Sequence, residues 1–378
     1  YPILSSKATI IWTQTARRFP TNAPAGTSLR PPLVFPLPLC YTRLMKKKFL
    51  SLKTSIFILI LLLIGAAAVA VRLAQREPSV LAFSEAMTSI PAPLAKNAQP
   101  SLSVPTQLTK IGEDYFLVDC YHNQILTSAD LNAPLSEWYV LTSQIDRGHT
   151  IAGDGVVYLA DDTENNRILI FEKKDDTFVM TQMFSNVGVR PHYVCYDEDS
   201  ERFFALSSMT GELYVFFRPD PSSPQVALEK ILSIPELSGV YVRSFMIDGD
   251  DVYFVSGNSA IIRARKKDLK VLERFSVPPE IARMVQLARI QDWFYITVST
   301  DAAGNQDYAT ILRVRDLNDL ADGHWEDIYS NFIGGGTPYY ITGFDGHFYL
   351  TEHRIPGHSV WQFDVKDNEL TDAATLFP

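Results

Sequence analysis

Residues 147–174 read RGHTIAGDGVVYLADDTENNRILIFEKK. His149–Ala152 reads as a short strand cut by Gly153-Asp154-Gly155, where glycine supplies the positive φ that a tight hairpin needs. Val156–Asp161 is a second strand, whose Val, Tyr and Leu suit burial on both faces. Asp162–Asn166 is a polar loop. Arg167–Glu172 is a third strand, with Ile168 and Ile170 on one face and Leu169 and Phe171 on the other. Asp175-Asp176 turns the chain, and Phe178–Phe184 makes a fourth strand. The apolar period is two, and the turns come at hairpin spacing, so strand is read over helix.

The same pattern recurs on both sides. Copies begin at Pro105 (PTQLTKIGEDYFLVDCYHNQIL), Arg190 (RPHYVCYDEDSERFFALSSMTGELYVFF), Val242 (VRSFMIDGDDVYFVSGNSAIIRARK), Val285 (VQLARIQDWFYITVSTDAAGNQDYATILRVR) and Pro338 (PYYITGFDGHFYLTEHRIPGHSVWQFDV). Their first residues lie 42 to 53 apart. Strand-rich repeats of this period predict an all-β chain. Six copies predict a six-bladed β-propeller of four-stranded antiparallel blades over residues 105–378. Such a domain distributes its core between blades. Extra residues at Pro219–Gln225, Thr300–Tyr308 and Asn318–Trp325 are expected in surface loops.

DDTENNRILIFE, from Asp161, resembles the NHL repeat, whose core reads D-x-x-N-x-R-I-x-x-F, and DCYHNQIL in the first repeat is a decayed copy. The whole region is similar to the six-bladed propeller superfamily that includes NHL, TolB-like and gluconolactonase-like proteins. That resemblance implies the fold and leaves function open, because such propellers serve enzymes, protein-binding platforms and sugar-binding domains. A gluconolactonase-like enzyme would place a Glu, an Asn and an Asp around a metal in the channel. Here Thr106-Gln107-Leu108 stands on the first inner strand, which argues against a metal hydrolase.

Residues 1–44 contain seven prolines and no Asp or Glu, and read as a non-native or disordered leader. Residues 45–54, MKKKFLSLKT, form a basic region with Lys46, Lys47, Lys48 and Lys53. Ser55–Val71 is uncharged and apolar, the length of a short transmembrane helix. It also fits a secretory signal peptide with a cleavage site at Ala68-Val69-Ala70. Either reading keeps the basic end in the cytoplasm and exports the rest. The expected location is therefore the cell membrane, as a single-pass protein with its propeller outside the cytoplasm, or, alternatively, secretion. Residues 72–104, with Pro78, Pro91, Pro93 and Pro100, are expected to be an extended stalk, with a short amphipathic turn around Val80–Met87.

Charge divides the chain. Residues 1–72 hold ten Lys or Arg and no acid, which leaves 24 basic and 43 acidic residues beyond them, a net of −19. So acidic a domain repels phosphate backbones, and no nucleic-acid partner is expected. Cys120 and Cys195 fall two repeats apart, where a disulfide is not expected.

Counting nine residues back from the aromatic of each second strand selects Gln107, His149, Ser244, Gln286 and Tyr340; in the third repeat, matching RPH to RGH selects His192. These positions begin the inner strands and should crowd one channel mouth, with Arg147, Arg190 and Arg243 beside them. Such a set suits an anion, a sugar or a peptide terminus; a solvated polar channel lining is the alternative. A second ring lies at the ends of the second strands: Asp119, Asp161, Ser207, Ser256, Val298 and Glu352. Its three carboxylates, Asp119, Asp161 and Glu352, could hold calcium or cap loops by bonding backbone N–H groups. The expected function is a membrane-anchored extracytoplasmic propeller that binds a protein or a cell-surface carbohydrate. The alternative is an exported lactone or glycan hydrolase or lyase, with His149 and His192 as acid and base and with or without a divalent metal.

Overall fold

A computed structural model describes residues 78–82, 93–257, 259–353 and 359–377. The leader, the basic region and the apolar run at 55–71 lie outside the described residues. Among the described residues no helix is long and apolar enough to cross a membrane.

Six antiparallel sheets form six blades, each from one continuous stretch of chain. The four strands of each blade are Pro105–Ile111, Asp114–Asp119, Gln124–Ser128 and Tyr139–Thr142 in blade 1; Ile151–Gly153, Val157–Asp162, Arg167–Lys174 and Thr177–Ser185 in blade 2; Pro191–Asp197, Arg202–Ser207, Glu212–Phe217 and Ala227–Ser233 in blade 3; Val242–Asp248, Asp251–Ser256, Ala260–Arg265 and Val271–Ser276 in blade 4; Arg283–Ile290, Trp293–Thr300, Thr310–Val314 and Glu326–Asp327 in blade 5; Thr337–Phe344, His347–His353, Val360–Lys366 and Glu369–Thr375 in blade 6. The six-bladed, four-stranded expectation therefore holds. Blade 2 carries a fifth strand on its outer edge, Ser79–Ala82, paired with residues 182–185. Val80–Ala82 are thus strand rather than turn, and the remainder of the turn expected around Val80–Met87 lies outside the described residues. Residues 93–104 of the supposed stalk are docked in part: Asn97 donates its N–H to the Trp138 carbonyl at 2.8 Å, and Leu94 and Leu102 pack on the propeller.

Alternation along each strand places a core between every pair of neighbours. Ile168 and Ile170 join Val194, Phe203 and Phe216 between blades 2 and 3, while Leu169 and Phe171 join Phe116 and Val118 between blades 1 and 2. Blades 3 and 4, 4 and 5, 5 and 6, and 6 and 1 each share a further cluster. One insertion departs from expectation in part. Leu317–Asp322 forms a 3₁₀ helix that is exposed for most of its length, as expected of a surface insertion, but anchors Leu317 and Leu320 in the core between blades 4 and 5. It precedes a fourth strand of only two residues.

Chain direction alternates across a blade. The turns joining strands one to two and three to four therefore share one face, and the starts of the inner strands share the other. On the hairpin face, aspartates of the turns reach the next blade. Asp114 meets Lys173, Asp154 meets Arg218, Asp197 meets Lys266, Asp248 meets Arg289 and Asp345 meets Lys110. The pairing covers five of the six interfaces. Turn chemistry alone explains an Asp in a hairpin; the structure adds a role between blades.

Candidate functional site

Five inner strands begin with a register shift: between Pro105 and Gln107, Pro191 and Tyr193, Val242 and Ser244, Met284 and Gln286, and Pro338 and Ile341. A bulge leaves a residue out of the ladder and re-aims its side chain. Blade 2 reaches the same end by another route. The Asp161 carboxylate accepts the His149 N–H at 3.0 Å, the Thr150 N–H at 2.7 Å, and the hydroxyls of Thr150 at 2.7 Å and Thr163 at 2.8 Å. These bonds replace the ladder, so the strand starts at Ile151 rather than His149. Gly148 is required by this close approach, since a Cβ there would lie 2.7 Å from the Asp161 carbonyl oxygen.

The six positions expected at the mouth divide into two groups. Gln107, Ser244 and Gln286 reach sideways. Gln107 Oε1 accepts the Ile151 N–H at 2.7 Å, Ser244 donates to the Val285 carbonyl at 2.7 Å, and Gln286 bonds both the N–H and the carbonyl of Ile341, at 2.6 and 2.9 Å. They are buried ties between neighbouring blades. Thr150 accepting from Val194 N–H and Ser208 donating to the Val242 carbonyl do the same for blades 2–3 and 3–4.

His149, His192 and Tyr340 come together instead. The two imidazoles stack with centroids 3.6 Å apart and planes 24° apart. The Tyr340 hydroxyl lies 3.3 Å from His192 Nδ1 and 3.5 Å from the Arg243 carbonyl. Blade 6 stands opposite blade 3 in a ring of six, so Tyr340 spans the axis. Tyr339 stacks near His149, Tyr241 meets His192 edge-on and Tyr193 meets Tyr340 edge-on. The three central side chains are 5%, 0% and 1% exposed. A solvated channel lining is therefore corrected: aromatic side chains fill the axis at this level. Removing both histidines would open a cavity in this packed centre.

Burial governs the electrostatics here. It holds the His192 imidazole well below the usual histidine range, helped by His149 and the Arg243 and Arg190 guanidiniums. His192 is thus neutral at pH 7, and its Nε2 has no hydrogen-bond partner among the described residues. Burial also pushes up the Tyr339 and Tyr340 phenols and the Cys120 thiol, whose Sγ lies 3.8 Å from His149 Nε2. An enclosed thiol of this kind is not a nucleophile. Cys120 and Cys195 are both free.

The arginines form the rim above. Arg147 and Arg190 take φ of 54° and 59°, and their backbone N–H groups are accepted by Asn123 at 3.0 Å and Asn166 at 2.8 Å, loop residues of the preceding blades. The shared Arg-x-His thus has a structural basis. Glu164 lies 2.9 Å from the Arg190 guanidinium and 4.0 Å from that of Arg147. Arg147 stacks on Tyr121, which is 60% exposed, and Arg243 stacks on Tyr241.

The carboxylates of the second ring bond groups of the protein itself. Asp119 accepts the Ser103 and Val104 N–H groups, each at 3.0 Å, and lies 2.6 Å from His122 Nδ1. Ser207 accepts the Val189 N–H at 2.8 Å. Glu352 accepts the Tyr329 hydroxyl at 2.7 Å and the Trp361 indole N–H at 2.8 Å. Val298 is core, and the Ser256 side chain lies outside the described residues. Asp119, Asp161 and Glu352 are fully buried and engaged by protein donors, so the calcium reading is corrected: Asp119 and Asp161 cap backbone N–H groups, and Glu352 accepts from the Tyr329 and Trp361 side chains. Among the described residues no His, Cys, Asp or Glu group is arranged to hold a metal.

Sequence reasoning missed Tyr121, Glu164, Tyr193, Tyr241 and Tyr339. Tyr193 and Tyr339 adjoin selected positions, and a register that allowed for a bulge would have reached them. Tyr121 and Glu164 sit in loops that strand periodicity does not index.

No family model and no curated protein matches the chain. Solved structures do. A 6-phosphogluconolactonase-like protein from Bacteroides uniformis is 12% identical, with 76% of this chain and 89% of that chain covered and a TM-score of 0.52. A second, from Bacteroides fragilis, is 13% identical over 74% and 85%, at 0.51. Virginiamycin B lyase from Staphylococcus aureus is 13% identical over 79% and 89%, at 0.49. Likeness at this identity shows the propeller fold alone.

Proposed function

We propose that the protein is an extracytoplasmic binding module whose ligand is a cell-surface carbohydrate, held on the channel-mouth face by Tyr121, Arg147, Glu164 and Arg190. The observation that carries this reading is the closed axis: His149, His192 and Tyr340 are packed against one another beneath an exposed rim. A substrate cannot lie between two imidazoles whose rings stack at 3.6 Å, which counts against the rival lactone or glycan hydrolase or lyase. The rim supports the binding reading. Tyr121 offers an open ring face, and the Arg and Glu side chains offer the donors and acceptors that hydroxyl-rich ligands need. Export and membrane anchoring rest on Lys46–Lys48 and the apolar run at 55–71.

Co-sedimentation with purified cell-envelope polysaccharide tests the proposal. The full chain should bind saturably, and Tyr121→Ala with Arg147→Ala should reduce affinity about tenfold, the loss of one or two good contacts. Binding to an envelope protein instead would move the ligand class. Hydrolysis of a sugar lactone or glycan that His149→Ala abolishes, with the variant still folded, would sink the binding reading in favour of the enzyme.

A further inference from the structure

The hairpin face, opposite the rim, carries a groove of about 460 Å³ between blades 3 and 4. Five cations line it, Arg202, Lys230, Arg265, Lys266 and Lys267, against Glu229 and Asp250. This stands out on a chain whose residues beyond 72 sum to −19. It is not a property of the scaffold either. The equivalent groove between blades 1 and 2, about 650 Å³, is lined by Lys173 and Lys174 against Asp114, Asp175 and Asp176. One position in the repeat thus carries opposite charge in two places.

Not all five cations have the same role. Lys266 pairs with Asp197 at 2.8 Å and is only 13% exposed, which makes it the inter-blade tie that Lys173 and Arg218 make elsewhere. Arg202 is held in place: it pairs with Glu229 at 2.5 Å, donates to the Ser200 and Glu201 carbonyls and stacks on Phe217. Arg265 is pinned by Asp268, whose carboxyl that guanidinium holds down at about 2. Among the described residues neither Lys230 nor Lys267 forms an ion pair within 4 Å, although Lys267 lies close enough to Asp268 to favour its charged form; Lys230 donates to the Lys267 carbonyl at 3.3 Å. The floor is apolar, formed by the buried Phe204 and Val215.

We propose that this groove binds a small organic molecule bearing a phosphate-type dianion, with Lys230 and Lys267 neutralising the anion and the ordered Arg202 fork orienting it. A tetrahedral dianion can meet two ammonium groups at once, which a single carboxylate does less well. The volume and the apolar floor suit a ligand body of metabolite size rather than a bare ion. The site is independent of the rim and of what binds there.

Pyrophosphate titrated into the full chain by calorimetry at low salt is the test. Saturable binding is expected, weakening as salt rises. Lys230→Glu with Lys267→Glu should lower affinity at least tenfold, and Lys267→Glu alone, at an exposed position, should lower it in part. Lys173→Glu in the other groove should leave it unchanged. Absence of saturable binding to the folded chain, or equal binding by the Lys267→Glu variant, would overturn the proposal.

Discussion

His192 shows how a residue chosen for its polarity ends in a place that removes it from water. It is the bulged residue of its strand, turned inward onto His149 and Tyr340. Its depressed pKa ties stability to pH. The unfolded chain takes up a proton as pH falls through about 6.5, the ordinary histidine value, while the folded chain does not. Stability is therefore present above that pH and lost below it, by at most about 1.4 kcal/mol per pH unit until the folded pKa is reached. Urea midpoints measured at pH 7.5, 6.0 and 5.0 should show a shallower decline for His192→Gln than for the parent chain. Parallel declines would mean that His192 is not the group responsible. The buried carboxylates at the ends of the second strands show the complementary case. Asp161 satisfies two backbone N–H groups that a strand ladder would otherwise have served, so a charged side chain sets where the strand begins.

Among the elements, the hairpins do more than reverse the chain. Asp154 caps its own turn through the Val156 and Val157 N–H groups, each at 2.9 Å, and reaches Arg218 of blade 3 at 2.6 Å. That pair is nearly enclosed, with side chains 5% and 15% exposed, whereas Asp248 and Arg289 are 40% and 50% exposed. Solvent screens the second pair and not the first. Asp154→Ala should cost about 2–4 kcal/mol, for it removes the carboxylate facing the enclosed Arg218 charge and uncaps the turn. Asp248→Ala should cost less than about 1 kcal/mol. Urea denaturation of the two variants gives the comparison directly; equal losses would show that burial does not rank these ties.

At the scale of the whole ring, closure needs no shared strand. Blade 6 and blade 1 are each continuous in sequence, and they are joined side by side. Thr351 donates to the Thr106 carbonyl at 2.6 Å, Thr342 donates to that of Leu108, and Lys110 pairs with Asp345. Tyr349 and Val360 pack against Leu108, Leu117 and Leu126, with Phe377 set edge-on to Trp138 at 5.7 Å. The half-buried Phe377 makes a small but testable part of that seam. Phe377→Ala should lower stability by about 1–2 kcal/mol. A scanning-calorimetry midpoint unchanged from the parent would show that the seam holds without it.

The period of the repeats and the alternation of apolar residues were enough to place six blades, because a strand buried on both faces needs an apolar residue at nearly every position. Ile168 and Ile170 turning one way and Leu169 and Phe171 the other follow from the chain alone. The six polar inner positions were also legible as a ring: one register returned five, and the match of RPH to RGH supplied His192. Their fates were not. Gln107, Ser244 and Gln286 tie blades together, while His149, His192 and Tyr340 fill the axis. That division depends on bulges and on which residues of distant blades face one another across the centre. Local sequence carries no record of either, because both arise when six repeats close into a ring and each side chain meets partners about 30 to 250 residues away, at separations only packing can select. The basic groove between blades 3 and 4 came from the same source: Arg202, Lys230 and Lys267 belong to separate turns and strands, and only the stacking of two blades gathers their charge.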